Sequence, residues 1–242
     1  MIEKCASTDE VISAAFALLA LVANNKEVKR RHYADADFYD LATPIDAMRQ
    51  SLLRTKETSD VPDEDEERLS AEIQRRGCLM IGSFADGDPT LSTQIVSVGG
   101  LMVALDAMDW FRYHEEVANW SMWCVFNLCY NHRINKAELI RLGGMQKVFN
   151  CMTNNVPQSL GVQRHSFAIL FDLMRQNDEI DGKFSELMLA KIRTGALNGG
   201  VHKTVVDAMH NFPKSNEIMM MGTQMLLCTG YRGQIPQYTG NI

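Results

Sequence analysis

A recurring spacing constrains this chain more than any other feature. Two columns can be followed through it. The first closes an apolar segment and reads Asp46-Ala47-Met48, Asp106-Ala107-Met108, Asn150-Cys151-Met152 and Asp207-Ala208-Met209. The last three of these segments open on a glycine pair, Gly99-Gly100, Gly143-Gly144 and Gly199-Gly200, where the first has Asp40-Leu41. The second column lies in a longer segment and contains Ala20, Ser83, Asn127, Asp172 and Cys228. From Asp106 to Asn127 is 21 residues, from Asn150 to Asp172 is 22, and from Asp207 to Cys228 is 21. From Ser83 to Asp106, and from Asn127 to Asn150, is 23. The period is therefore about 44 residues, the length of a unit of two or three helices. Two links are longer, 37 residues from Asp46 to Ser83 and 35 from Asp172 to Asp207. Insertions of this size fall in loops, where added length costs little.

One amphipathic helix pair cannot bury its apolar face alone, so stacked copies must share a continuous core. The expected units are a partial one over 1–40 and full ones over about 41–98, 99–142, 143–198 and 199–230, with an irregular tail over 231–242. The segments Val11–Asn24, Leu69–Ala85, Trp120–Tyr130, Leu160–Arg175 and Glu217–Cys228 are the expected long helices. Residues 25–40 are expected to form a short first helix and turns. Residues 54–68 carry seven acids, three bases and a proline, which predicts an acidic loop. Within the second insertion, Phe184–Arg193 is apolar enough to be a lengthened first helix.

The pattern of a glycine pair, an apolar helix ending Ala-Met and a longer third helix resembles the armadillo repeat. The sharpest match is Trp123-Cys124-Val125-Phe126-Asn127-Leu128, which is similar to the Trp-x-x-x-Asn of importin-alpha and beta-catenin-like repeats. The resemblance implies an all-α, right-handed α-α superhelix, an armadillo/HEAT-type solenoid. It also implies a concave groove in which Asn127 holds the main chain of an extended peptide and Trp123 walls in its side chains. Residues four apart share a helix face, so the ridge extends to Asn119, Trp123 and Asn127, with Arg75, Leu79 and Ser83 before it and Arg164 and Asp172 after it. The other repeats have Phe16/Ala20, Leu79/Ser83, Ala168/Asp172 and Gln224/Cys228 in place of the Trp/Asn pair. A receptor with a full ladder of Trp and Asn is therefore not supported. Arg75 and Arg164 point to a partner segment with acidic or polar residues.

Composition bounds the remaining classes. The net charge of −6 argues against non-specific nucleic-acid binding. Val11–Ala23 is too short to span a bilayer and follows no basic segment, so it reads as a core helix and not a signal. Six cysteines without a C-x-x-C suit a reducing compartment, cytoplasm or nucleus. Gly195–Thr204 echoes a phosphate loop, but Lys203 comes two residues late and no strand precedes it. Asn177–Gly182 begins like a calcium loop, yet Met188 stands where a bidentate Glu is needed. Cys129 and His132 are a structural pair before they are nucleophile and base. The histidines have no metal-ligand spacing, and no cofactor is implied. Asn119-Trp120-Ser121 is a sequon by pattern only. The expectation is a non-catalytic scaffold for a protein or peptide partner. The alternative is a regulatory module of a larger protein, linked to a catalytic domain outside this chain. The apolar last helix (Met219, Met220, Met221, Met225, Leu226, Leu227) adds an expectation of self-association through uncapped ends.

Overall fold

The computed structural model describes residues 8–25, 41–57, 64–155, 157–175 and 186–240. The expected helix and turns over 26–40 lie outside them. The chain divides into two compact units, Met1–Leu128 and Cys129–Ile242, and each is described by itself. Among the described residues every regular element is helical, and no single helix is long and apolar enough to cross a membrane.

The first unit holds α1 (Thr8–Asn24), α2 (Ala42–Glu57), α3 (Glu64–Ala85), α4 (Pro89–Ser97), α5 (Gly100–Trp110) and α6 (Glu115–Cys129). Here α3 packs against α1, α2, α4 and α5. The second unit holds α7 (Arg133–Arg141), α8 (Gly144–Asn150), α9 (Leu160–Met174), α10 (Glu186–Asn198), α11 (Val201–Asn211) and α12 (Asn216–Cys228). A π-helical turn, Cys151–Asn155, continues α8. In this unit α9 packs on α8, α10 and α12. First, second and third helices of successive repeats thus follow one another in order, and in the repeat of α4, α5 and α6 the third is the longest at 15 residues.

Each helix type has its own way of starting. The second helices α5, α8 and α11 open from a glycine with positive φ: Gly99 (92°), Gly143 (69°) and Gly200 (80°). Only glycine adopts that conformation without strain. In the last repeat the left-handed residue is Gly200 and not Gly199, so the equivalent pair there is Gly200-Val201. The residue after it in the other two repeats needs space instead. A Cβ on Gly144 would lie 2.1 Å from Leu139 Cδ1 and 2.8 Å from the Leu139 carbonyl oxygen. We expect Gly144→Ala to cost about 1–2 kcal/mol in urea unfolding through this overpacking.

Five of the first and third helices start instead on side-chain caps, which satisfy orphan amides of the first turn. Asp88 accepts from Leu91 N–H at 3.0 Å to start α4, and Pro89 sets the first helical φ. His132 Nδ1 accepts from Asn135 N–H (3.4 Å) to start α7. His114, Ser159 and Ser215 do the same for α6, α9 and α12. His132 is therefore a cap, and the Cys129 thiol donates separately to the Asn135 carbonyl at 3.7 Å.

The methionine column is a packing column. Met48 and Met209 are fully buried, and each lies on a glycine of the third helix of its own repeat. A Cβ on Gly77 would meet Met48 Sδ at 2.4 Å, and one on Gly222 would meet Met209 Sδ at 2.7 Å. The same third-helix position is Ser121 in α6 and Ser166 in α9, both fully buried. A long unbranched side chain fills the gap left by a small residue, as a flexible thioether can. A second tie crosses the same helix pair. Gln74 donates Nε2–H to the Met48 carbonyl (3.0 Å), and Gln163, nine residues before Asp172 as Gln74 is before Ser83, donates to the Met152 carbonyl (2.6 Å).

The acidic stretch differs from its expectation. Residues 54–57 continue α2, and Glu64–Arg68 form the start of α3. Four carboxylates, Glu64, Asp65, Glu66 and Glu67, sit in that first turn, where the helix dipole favours negative charge. Only 58–63 of the expected loop remain, outside the described residues. In the second insertion the helix runs to Asn198, past the expected Arg193. Tail residues 231–240 are non-helical. They run back along α12, with Tyr231 N–H on the Leu226 carbonyl (2.9 Å) and Thr239 N–H on the Pro213 carbonyl (3.0 Å). The Tyr231 ring also meets His202 edge-on, with centroids 5.1 Å apart.

Candidate partner-binding groove

Within the first unit, α3 and α6 bring Arg75, Leu79, Ser83, Asn119, Trp123 and Asn127 onto two helices of the same set. Trp123 lies directly across α3. A Cβ on Gly82 would stand 2.5 Å from its Cζ3 and 2.6 Å from its Cε3, so only a glycine lets the indole settle there. Trp120 meets it edge-on, with ring centroids 5.6 Å apart and planes at 85°, the geometry that aromatic quadrupoles favour. Trp123 is half-buried, as are Trp120, Asn119 and Asn127. The glycine seat and the second tryptophan were missed by sequence reasoning. Their signal was available, since a glycine inside a helix costs about 1 kcal/mol relative to alanine and so marks a close approach.

The polar members of the column are engaged with the protein itself. Asn127 donates from Nδ2 to the Trp123 carbonyl at 3.1 Å. The Ser83 hydroxyl, buried, donates to the Leu79 carbonyl at 2.8 Å. Ser83 therefore bonds back along its own helix and does not present its hydroxyl to an open groove. Asn119 Oδ1 and Trp120 Nε1 have no hydrogen-bond partner among the described residues. That leaves one acceptor and one donor on adjacent residues uncommitted.

The two arginines each bring their own acid. Arg75 holds Glu72 through two bonds of 2.7 Å, from Nε and Nη2, and Arg76 binds the same carboxylate. The Arg75 guanidinium thereby holds the Glu72 carboxyl below the ordinary carboxylate range, and Glu72 in turn raises Arg75. In the second unit, Arg164 on α9 pairs with Glu217 on α12, with Nη2 2.9 Å from Oε1. A partner's carboxylate would have to displace an internal one at either arginine. Such half-exposed pairs are worth little each, so the expected preference for acidic segments is muted.

Asp172 sits on the expected column but is buried, 5% exposed, in the second unit. Its Oδ2 lies 2.9 Å from Lys136 Nζ, itself 7% exposed, and its Oδ1 lies 3.2 Å from Arg175 Nε. A carboxylate so held is a structural ion and does not present itself to a partner. Burial, and after it the Asp172 charge, push the Cys129 thiol well above its ordinary range, which removes thiolate chemistry there. Among the described residues no three His, Cys, Asp or Glu side chains converge as a metal site.

No family model and no curated protein sequence matches the chain. Solved structures do. An engineered protein of the Northeast Structural Genomics Consortium superposes with a TM-score of 0.62 at 13% identity, over 93% of this chain and 76% of its own. A designed armadillo repeat protein gives 0.55 at 11% identity, over 93% and 96%. Another, solved in complex with the peptide (KR)4, gives 0.54 at 14% identity, over 94% and 84%. At these identities it is the fold that is shared, and the chain is accordingly an all-α repeat protein with the fold of an armadillo/HEAT-type solenoid.

Proposed function

We propose that this chain is a non-catalytic scaffold that holds an extended segment of a protein or peptide partner on the helix face formed by α3 and α6. The observation that carries this reading is the seating of Trp123 on Gly82. The indole is fixed against α3 and backed by Trp120, yet is not fully buried. A rigid aromatic with an open side is the usual anchor of a binding surface. Around it, Asn119 and Asn127 offer amide groups of the kind that hold an extended main chain. Leu79 and Arg75 border the same face from α3. Arg164 would contribute to a corresponding face in the second unit by opening its pair with Glu217. The designed armadillo protein that binds (KR)4 supports the mode, since its fold is shared, and says nothing about this chain's own partner. The buried free thiols Cys78, Cys124, Cys129 and Cys151 fit a reducing compartment such as cytoplasm or nucleus.

The test compares proteins captured from native lysate by the wild-type chain and by a Trp123→Ala/Asn127→Ala double variant. Circular dichroism and thermal melts first establish that both are folded. Proteins retained by the wild type and lost from the folded variant support the reading. An identical set from both would overturn it.

A further inference from the structure

Helix α1 is apolar on both of its sides. From Val11 to Asn25 the sequence carries no charged residue, and a helix that is apolar all round belongs in an interior. Only one side of α1 has one. Ser13, Phe16, Ala20 and Ala23 are buried where α1 packs along α3, and Arg76 Nη1 donates to the Ser13 carbonyl at 3.3 Å. The opposite side consists of Val11, Ala14, Ala15, Leu18 and Leu21. Val11 is 57%, Leu18 63% and Leu21 69% exposed, and the three- and four-residue spacing sets all five on one stripe. A single exposed leucine needs no explanation, but a continuous stripe does.

Shape and charge both fit this stripe to itself. In an antiparallel pair about a two-fold axis level with Phe16, Val11 faces the partner's Leu21 and Ala14 faces the partner's Leu18. A large side chain then lies over a small one at the centre, which lets the two helices approach closely. The ends of α1 are also oppositely charged. Asp9 and Glu10 stand in its first turn, and Arg54 answers Asp9 at 2.7 Å, which leaves that end with a net negative charge. The sequence after the helix, Lys26-Glu27-Val28-Lys29-Arg30-Arg31, has four bases and one acid. Antiparallel pairing brings the acidic end of each copy to the basic end of the other and opposes the two helix dipoles, whereas parallel pairing sets like beside like. A surface complementary to itself in this way is the requirement for a two-fold dimer. The exposed stripe amounts to a few hundred Å², the size at which apolar patches serve as interfaces. Counted on both copies it comes to about 1,000 Å², the lower end for a specific but weak association.

We propose that α1 is a homodimerisation surface, on which a second copy of this chain packs its own α1 antiparallel through Val11, Ala14, Ala15, Leu18 and Leu21.

The experiment is sedimentation equilibrium of the full chain loaded from about 5 to 500 µM, the range in which an interface of this size associates. A monomer–dimer equilibrium is expected. Leu18→Glu and Leu21→Glu lie at exposed positions and leave the contact with α3 intact. Each should raise the dimer dissociation constant by about tenfold or more, with the far-UV circular dichroism unchanged. Orientation is read separately. In an equimolar mixture of Val11→Cys and Leu21→Cys chains, mild oxidation should join one variant to the other, as identified by peptide mapping, and neither variant to itself at that position. The Trp123→Ala/Asn127→Ala variant should dimerise as the wild type does, so this proposal and the groove reading fail separately. A chain that is monomeric at every concentration would overturn the assignment, including one in which Leu18→Glu instead abolishes binding to a lipid vesicle or to another protein. So would a dimer indifferent to both glutamate variants, or cross-linking of Val11→Cys chains to one another.

Discussion

Lys136→Met is expected to destabilise the protein by about 3–5 kcal/mol in denaturant unfolding. The reason lies in what the ammonium holds. Its Nζ lies 2.9 Å from Asp172 Oδ2 and also donates to the Asp172 main-chain carbonyl at 3.4 Å. That carbonyl belongs to the last turn of α9, where no intrahelical donor is available. Two bonds from Arg193, at 3.1 and 3.3 Å, satisfy the Met174 carbonyl of the same turn. Basic side chains from α7 and α10 thus close the C-terminus of α9, where the helix dipole favours positive charge. Removing Lys136 leaves a buried carboxylate with only Arg175 to compensate it. The double variant Lys136→Met/Asp172→Leu removes both charges together and should recover most of the loss, because an apolar pair of similar volume is often no less stable. A single-variant loss below about 1 kcal/mol would contradict the burial of the pair.

Acid should destabilise the fold through His165, over a window set by its own protonation. Burial lowers its pKa from 6.5 to about 4, the neighbouring Arg164 guanidinium adds to the shift, and the Glu217 carboxylate partly opposes it. Its Nδ1 has no partner among the described residues. Below pH 6.5 the unfolded chain takes up a proton that the folded chain refuses. The contribution is therefore fully present above about pH 6.5, falls as the pH drops, and is lost by about pH 4. The full loss is roughly 3 kcal/mol. Urea midpoints measured from pH 7.5 to 4 should fall for the wild type. The fall should be shallower by that amount for His165→Leu, which has no proton to gain. Parallel curves would mean that His165 titrates normally in the fold.

The fold is largely legible in the sequence because its devices are periodic. The Ala-Met column reads directly as second helices, and Ser83, Asn127, Asp172 and Cys228 all fall at the ends of long third helices. What was illegible depended on pairings across helices. Nothing local tells that Asp172 is answered by Lys136, 36 residues earlier, or that Arg164 is answered by Glu217, 53 residues later. The acidic run from Glu64 looked like a loop because its charge was weighed as solvation, when its place in a first turn made it helix-favouring. The misplacement of the last glycine pair by one residue has a similar cause. Gly199 and Gly200 are alike by composition, and only the positive φ of Gly200 distinguishes them.

The seating of methionines on small residues has a wider consequence. Met48 on Gly77 and Met209 on Gly222 are contacts made inside one repeat. Each fixes the spacing of a helix pair through a single thioether and the absence of a side chain opposite it. Outward-facing positions take no part in these contacts, so they can change while the helix pair keeps its spacing. A fold maintained by so few positions can persist where overall identity to designed repeat proteins is only 11–14%. Sequence comparison of such repeats is therefore most informative at the buried methionine and at the glycine facing it, on which these two helix pairs close.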